Sequence, residues 1–217
     1  MATTKYEKRV VFNGVSNVYT QFMETEDTGV NAPVYDALVV NETPSVQDFD
    51  GTAEVTEDPL YLSNVLHDEF THISAVNINL NAAYLGEGVA EEAQGMISEG
   101  TGAWSMPTSP RKKPMRVVLI ETDAEDKEVI WIFPKCLLSP MAIGGATRTA
   151  TATAKIPTHV LKAIPLTYKT SGEPRKPYFK IDLTSDEAIA MWDREKLITT
   201  AVYDSATLEA CKVTPTP

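Results

Sequence analysis

The sequence predicts a mainly β protein, a β-sandwich or partly closed barrel with one α-helix packed on it. The first observation is an alternation at residues 71–83, where apolar residues face one way and asparagines the other: Val76, Ile78, Leu80 and Ala82 against Asn77, Asn79 and Asn81. Period-two alternation is typical of a strand with one buried and one wet face. The second observation is a pair of β-rich runs at 116–122 and 127–138, whose four-residue connection predicts a hairpin. The third is the small number of helical patterns.

Three further runs have strand character. Residues 10–23 are rich in Val, Phe and Tyr and place Val18, Thr20 and Phe22 on one face. Residues 46–56 form a second run. Residues 149–161 form a third, which alternates alanines with Thr149, Thr151 and Thr153. Threonine favours strands and alanine does not, so we expect this last strand to depend on its neighbours.

Two helices are predicted. Residues 84–97 carry Leu85, Val89 and Ala93 at helical spacing, with acidic residues in the first turns, although three glycines weaken the pattern. A short second helix is predicted at 186–192, with Ser185 as its cap and with Ile189 and Trp192 facing inward.

The chain is predicted to form a single domain over residues 1–217, a length that one large β-domain fills. Extended loops are predicted at 57–70, which lacks clean periodicity and contains Asp58-Pro59, and at 100–113, which is interrupted by glycine and proline. Long loops usually have a function. The end of the chain, about 204–217, is predicted to be a flexible tail.

Composition restricts the function classes. The net charge of −11 disfavours tight binding to phosphate backbones. The longest apolar runs are strand-sized and the start lacks an apolar signal region, so we expect no membrane contact and a cytosolic origin. Two cysteines are too few for a disulfide framework; Cys136 is predicted to be buried and Cys211 exposed.

Residue patterns for catalysis are weak. His67 and His72 are five residues apart, a spacing that aligns two imidazoles on neither a helix nor a strand, so a metal site is the minor interpretation. The carboxylate runs lie in predicted turns, and no nucleophile or phosphate-binding motif is present. We therefore predict a protein that is not an enzyme and uses no cofactor. The basic run at residues 111–113 leaves nucleic-acid contact as a minor alternative.

Several segments, taken in order, resemble the major tail tube proteins of long, non-contractile-tailed bacteriophages. The segments that carry the resemblance are residues 12–19 (FNGVSNVY), 58–61 (DPLY), 83–87 (AYLGE), 113–119 (KPMRVVL), 129–136 (VIWIFPKC) and 181–192. Each is weak alone, and their order and spacing over nearly the whole chain carry the likeness. Residues 149–154 depart from the family, which has a more charged segment there.

The resemblance implies the phage tail tube fold and a structural role in the virion tail, after assembly in the host cytoplasm. Subunits of this family form stacked rings, about six copies each. Four strands from each of six copies give a barrel about 48 Å across, if strands lie ~4.8 Å apart and tilt by ~40°. A bore of roughly 35–40 Å passes a DNA duplex about 20 Å wide. The implied partners are other copies, the tape measure, distal tail and terminator proteins, and DNA that passes without specific binding.

The resemblance also assigns candidate residues. Strands within 46–56, 71–83, 127–138 and 149–161 are predicted to form the sheet that lines the bore, and its polar face is predicted to carry Glu54, Asn77, Asn79, Asn81, Thr149, Thr151 and Thr153. The predicted inter-subunit contacts lie in the two long loops: Asp58, Tyr61, His67, Trp104, Arg111, Lys112 and Lys113. The cations at 111–113 are expected to meet acidic loops of neighbouring copies.

Two other functions remain open from the sequence. One is another tail component of the same fold, such as a terminator or distal tail subunit, which copy number per particle would separate. The other is a β-sandwich binding module, which requires exposed aromatic residues on one sheet or loop tip, where Trp104 is the candidate.

Overall fold

A computed structural model of the protein describes residues 12–37, 39–62, 65–140 and 156–214, with the side chains of residues 12, 13 and 58–70 left out. The strands are β1 (Phe12–Thr25), β2 (Val34–Tyr35), β3 (Asn41–Thr43), β4 (Val46–Leu62), β5 (Val65–Ala82), β6 (Ile97–Gly100), β7 (Ala103–Ser105), β8 (Met115–Asp123), β9 (Glu128–Leu138), β10 (Thr158–Ala163) and β11 (Phe179–Leu183). The helices are α1 (Val89–Ala93), α2 (Asp186–Met191), α3 (Arg194–Thr199) and α4 (Ser205–Glu209).

One antiparallel sheet of nine strands dominates the fold. Its order is β2-β1-β8-β9-β10-β5-β4, with β3 on β1 and β11 on β9. Four strands separate β1 from β4 in this order, yet the two contact each other, so the sheet curls toward closure. In the described part of the chain they share no hydrogen-bonded ladder. The predicted mainly β class, with few helices, is confirmed.

The main core lies inside the curled sheet. Apolar side chains from β1, β5, β8, β9 and β10 meet there, including Val18, Ile78, Leu80 and Leu119, which are fully buried. Helix α1 adds Val89, Ala90 and Ala93 to the same core. The alternation at 71–83 therefore predicted the correct buried face of β5.

A second core lies on the opposite face of β8 and β9, where the C-terminal helices cover the sheet. Leu197, Ile198, Val202 and Cys211 pack there on apolar residues of the two strands. Arg116, 1% exposed, donates hydrogen bonds to the carbonyl oxygens of Leu197 and Ile198, at 2.6 and 2.7 Å. Burial lowers the pKa of Arg116 to about 10, and the carbonyl dipoles at the end of α3 stabilise its charge.

Two helix predictions need correction. The helix predicted at 84–97 is limited to α1, because Gly88 and Gly95 adopt positive φ on either side of it. The helix predicted at 186–192 is present as α2, and the Ser185 hydroxyl accepts a hydrogen bond from the Ala188 amide as predicted. Ile189, however, is 50% exposed rather than inward-facing, because α2 lies at the rim of the second core.

The loop and tail predictions were wrong in part. Residues 57–62 and 65–70 continue β4 and β5 as the distal half of a long hairpin instead of forming a loop. Residues 100–113 include the small hairpin β6–β7 before an irregular stretch. The predicted flexible tail contains α4, and the predicted exposed Cys211 is fully buried because this segment covers the second core.

Acid is expected to destabilise the fold through His159, which is 2% exposed on β10. Its Nε2 hydrogen-bonds to the Ala82 carbonyl oxygen at 3.2 Å, and its Nδ1 has no partner among the described residues. Burial lowers the pKa of His159, outweighing the opposite effects of the Ala82 carbonyl and the Glu91 charge. The unfolded chain therefore takes up the proton first, and stability is lost as pH falls from about 6.5 toward the folded pKa.

The measurement is urea unfolding at pH 7.5 and 5.5. Wild type should lose up to about 1.4 kcal/mol per pH unit more than His159→Gln over this window. His72→Gln, which removes an exposed imidazole, is the matched control and should behave as wild type. Equal pH dependence in all three proteins would contradict the prediction.

Candidate assembly surface

The outer face of β4, β5 and β10 carries a ladder of polar side chains, here called the polar ladder. Its rows follow the strand register, with Asp48 opposite Asn81 and Asp50 opposite Asn79. The Asn79 amide donates to Asp50 at 2.8 Å and the Asn81 amide to Asp48 at 2.5 Å. Thr158 of β10 extends the last row by donating to the Asn81 side-chain oxygen at 2.6 Å.

The third row of the polar ladder centres on Glu54. Its carboxylate accepts hydrogen bonds from the Lys162 ammonium and the Asn77 amide, each at 2.9 Å. These two hydrogen bonds, that from Lys162 foremost, lower the pKa of Glu54. The polar ladder therefore holds three carboxylates against the one cation of Lys162, a net negative surface.

The structure brings together part of the predicted bore-lining set. Glu54, Asn77, Asn79 and Asn81 all lie in the polar ladder. The strands β9, β10, β5 and β4 are neighbours in that order, as predicted for one sheet, but β10 matches the predicted strand 149–161 only over residues 158–161, and residues 149–155 lie outside the described part. Thr149, Thr151 and Thr153 lie outside the described residues.

The β4–β5 hairpin projects beyond the rest of the sheet. β10 pairs with β5 only from Val76 to Asn81, whereas β4 and β5 pair with each other as far as Leu62 and Val65. At 3.3–3.4 Å per residue, the eleven residues from Val76 to Val65 carry this two-stranded ribbon roughly 35 Å past its last paired neighbour. Among the described strands β4 forms a hydrogen-bonded ladder with β5 alone, so the backbone groups of its other edge are unpaired by any described strand, although β4 contacts β1.

The predicted contact residues are spread over this hairpin and the opposite part of the chain. Asp58, Tyr61 and His67 lie on the ribbon, in β4 and β5, with side chains outside the described part. Trp104 of β7 packs on Gly88, where an added Cβ would lie 3.0 Å from indole Cζ2.

The three predicted cations have different surroundings. Arg111, whose side chain is 90% exposed, lies 3.4 Å from Glu26, and Lys113 lies 2.5 Å from Glu92. Lys112 makes no ion pair with any side chain that the structure describes. Two of the three charges therefore have partners within the chain, and their contacts with other copies stay a prediction.

Sequence reasoning missed the ladder partners Asp48, Asp50, Thr158 and Lys162. Asp48 and Asp50 are two residues apart in a predicted strand, a spacing that puts both on one face. That signal was available for β4. The pairing with β5 and β10 was not, because register depends on which strands become neighbours.

The described residues contain no group of three or more His, Cys, Asp or Glu side chains placed to hold a metal ion. None of the helices in the described part is long and apolar enough to cross a membrane.

Comparisons with known proteins assign the chain to no family. No family model matches the chain, and no curated protein matches it. Among solved structures, a chain of the cryo-EM structure of the anti-feeding prophage (AFP) baseplate, 6-fold symmetrised, aligns over 85% of this chain and 100% of its own. With 9% identity and a TM-score of 0.29, this likeness carries no argument about fold or function.

Proposed function

We propose that this chain is a self-assembling structural subunit of a bacteriophage tail, the major tail tube protein, which forms stacked rings of six copies around a passage for DNA. The observation that carries the proposal is the long free edge of β4 beside the polar ladder. The ordered resemblance of the sequence to tail tube proteins supports it.

The free edge of β4 favours assembly. A 17-residue edge strand presents a row of unpaired backbone groups, which natural proteins cover, interrupt or use for pairing with another chain. The ribbon beyond residue 55 has neither a third strand nor a helix on it within the described structure, and an isolated two-stranded ribbon is marginally stable in water. A neighbouring copy would supply the missing contacts.

The polar ladder suits a passage for DNA. Its carboxylates are held by amides of the same sheet, so the surface is negative and its hydrogen-bonding groups are already paired with one another. Six copies at −11 each would carry about −66, which repels phosphate. A surface of this kind lets a duplex pass without retaining it.

The proposal includes the partners and location that this role requires. The chain would associate with itself and with the tape measure, distal tail and terminator proteins, and it would reside in the virion tail after assembly in the host cytoplasm. The role needs neither catalysis nor a cofactor.

Electron microscopy of the concentrated protein tests the proposal. We expect hollow rods with a bore of roughly 35–40 Å, the size that about 24 strands enclose. The far-ultraviolet circular dichroism of the rods should match that of the dilute protein, since assembly uses the folded subunit. A protein that stays monomeric in sedimentation velocity at every concentration reached would overturn the proposal.

A further inference from the structure

A groove lies where the β4–β5 hairpin leaves the body of the protein. It measures about 490 Å³ and runs between residues 71–74 of β5 and the loop that follows β10. Its floor is apolar, formed by Ile73, Pro165, Leu166 and Pro177, and its rim carries His72 and Arg175. We call it the base groove.

The charge of the base groove differs from that of the whole protein. The chain has 30 acidic residues and a net charge of −11, yet no carboxylate lines the groove within the described part. Its one permanent charge is Arg175, which is exposed and whose guanidinium donates to the Thr167 carbonyl oxygen at 3.1 Å. The base groove therefore fits an acidic segment with apolar residues.

The distal half of the hairpin has that composition. Residues 57–70 contain four acids, Glu57, Asp58, Asp68 and Glu69, and no Lys or Arg. Five of the seven residues from 60 to 66 are apolar, counting Tyr61. The segment thus offers acidic groups for Arg175 and apolar groups for the apolar floor of the base groove.

The apolar residues of the distal half, 60–62 and 65–66, do not reach the base groove of their own molecule, whereas Glu57 pairs with Thr71 at the edge of that groove. β5 is one continuous strand from Val65 to Ala82, and Val65 is seven residues from His72. At 3.3–3.4 Å per residue, Val65 lies roughly 20 Å from the groove. The apolar residues of this segment can therefore fill a base groove only in another molecule.

We infer that the base groove of one copy receives the distal half of the β4–β5 hairpin of a second copy. This inference rests on the proposed function, because it names the contact through which copies join. Donor and acceptor are different patches of one surface, so the contact is head-to-tail and each copy keeps one free hairpin and one free groove. Such contacts repeat, closing into rings or extending into filaments, instead of ending at a dimer.

Charge reversal tests the inference. Arg175→Glu should raise the concentration for half-assembly at least about tenfold, measured by sedimentation velocity, because a like charge then faces the acidic hairpin. Lys169→Glu makes the same charge change on an exposed side chain of the same loop outside the base groove, and it should shift assembly less than about twofold. Adding Asp68→Lys and Glu69→Lys to Arg175→Glu should restore assembly.

A second substitution separates docking from folding. Arg175→Gln keeps a donor for the Thr167 carbonyl and removes the charge, so it should weaken assembly less than Arg175→Glu and make assembly less sensitive to salt. If wild type assembles and both Arg175 variants match Lys169→Glu, the base groove is not the acceptor and the proposed function stands. If wild type does not assemble at all, the proposed function and this inference fall together.

Discussion

Asp27→Ala is expected to lower the free energy of unfolding by about 3–5 kcal/mol. The Asp27 side chain is fully buried and accepts hydrogen bonds from the Lys135 ammonium at 2.7 Å, the Tyr168 amide at 3.0 Å and the Thr167 amide. Alanine leaves two amides without an acceptor and a nearly buried ammonium without its closest counter-charge. Chemical denaturation at neutral pH measures the loss.

Controls assign that loss to the ion pair. Lys135→Met removes the cation, and the Asp27→Ala, Lys135→Met double variant should be more stable than the sum of the two single losses predicts, because it leaves no charge unpaired. Strict additivity would contradict the interpretation.

The Asp27 ion pair also makes the fold sensitive to acid at a lower pH than His159 does. Burial raises the pKa of Asp27, but hydrogen bonds from Lys135 and the Tyr168 amide, with the Lys135 charge, lower it overall. Because the folded pKa is depressed, this stabilisation is present above about pH 4 and is lost as pH falls toward the folded pKa. Asp27→Ala should lose this part of the acid dependence.

Asp27 connects stability to the proposed assembly surface. The two amides that it holds belong to the loop after β10, which supplies Pro165, Leu166 and Thr167 to the base groove. Lys135 also lies 3.5 Å from Glu26, the partner of Arg111. A substitution of Asp27 is thus expected to loosen the base groove as well as the core, although Asp27 itself does not line the groove.

The sequence predicted local alternation well and long-range pairing poorly. The asparagines and apolar residues of β5 lie on the faces that period two requires, because only one face of that strand meets the core. The segment 57–70 was misread because Asp58-Pro59 is typical of a turn. A proline is tolerated in β4 because β4 is an edge strand, and edge position is a property of the assembled sheet.

The C-terminal segment was misread for a related reason. Its Thr and Pro content suggested a frayed end, yet Asp204 caps α4 and Cys211 is buried against the second core. The apolar face that this segment covers belongs to β8 and β9, about 70 to 90 residues earlier in the chain. No local pattern reports such a contact. Arg175, the charged residue of the base groove, was missed because it lies in a turn-like segment. The groove forms only when this segment packs beside β5, about 100 residues earlier in the chain.

Gly95→Ala is expected to cost about 3 kcal/mol or more of stability, from backbone strain and a clash together. Gly95 has φ +80°, and a Cβ there would lie 2.4 Å from the Arg111 carbonyl oxygen and 2.7 Å from its carbon. The opposing backbone is held in place, since Lys113 donates to the Ala93 carbonyl at 3.1 Å and Met23 donates to the Pro114 carbonyl at 2.9 Å. The clash is therefore not relieved by a small shift.

Gly102→Ala separates the two contributions. Gly102 has φ +72°, close to that of Gly95, but an added Cβ meets no atom within 4 Å. Its substitution should cost only the backbone strain, about 1–2 kcal/mol. The difference between the two variants in chemical denaturation then measures the contact between the end of α1 and residues 111–114. The sequence showed Gly95 only as a residue that weakens a helix and did not reveal this contact. Equal losses would show that this backbone yields, and that the end of α1 is not fixed by the approach of Arg111.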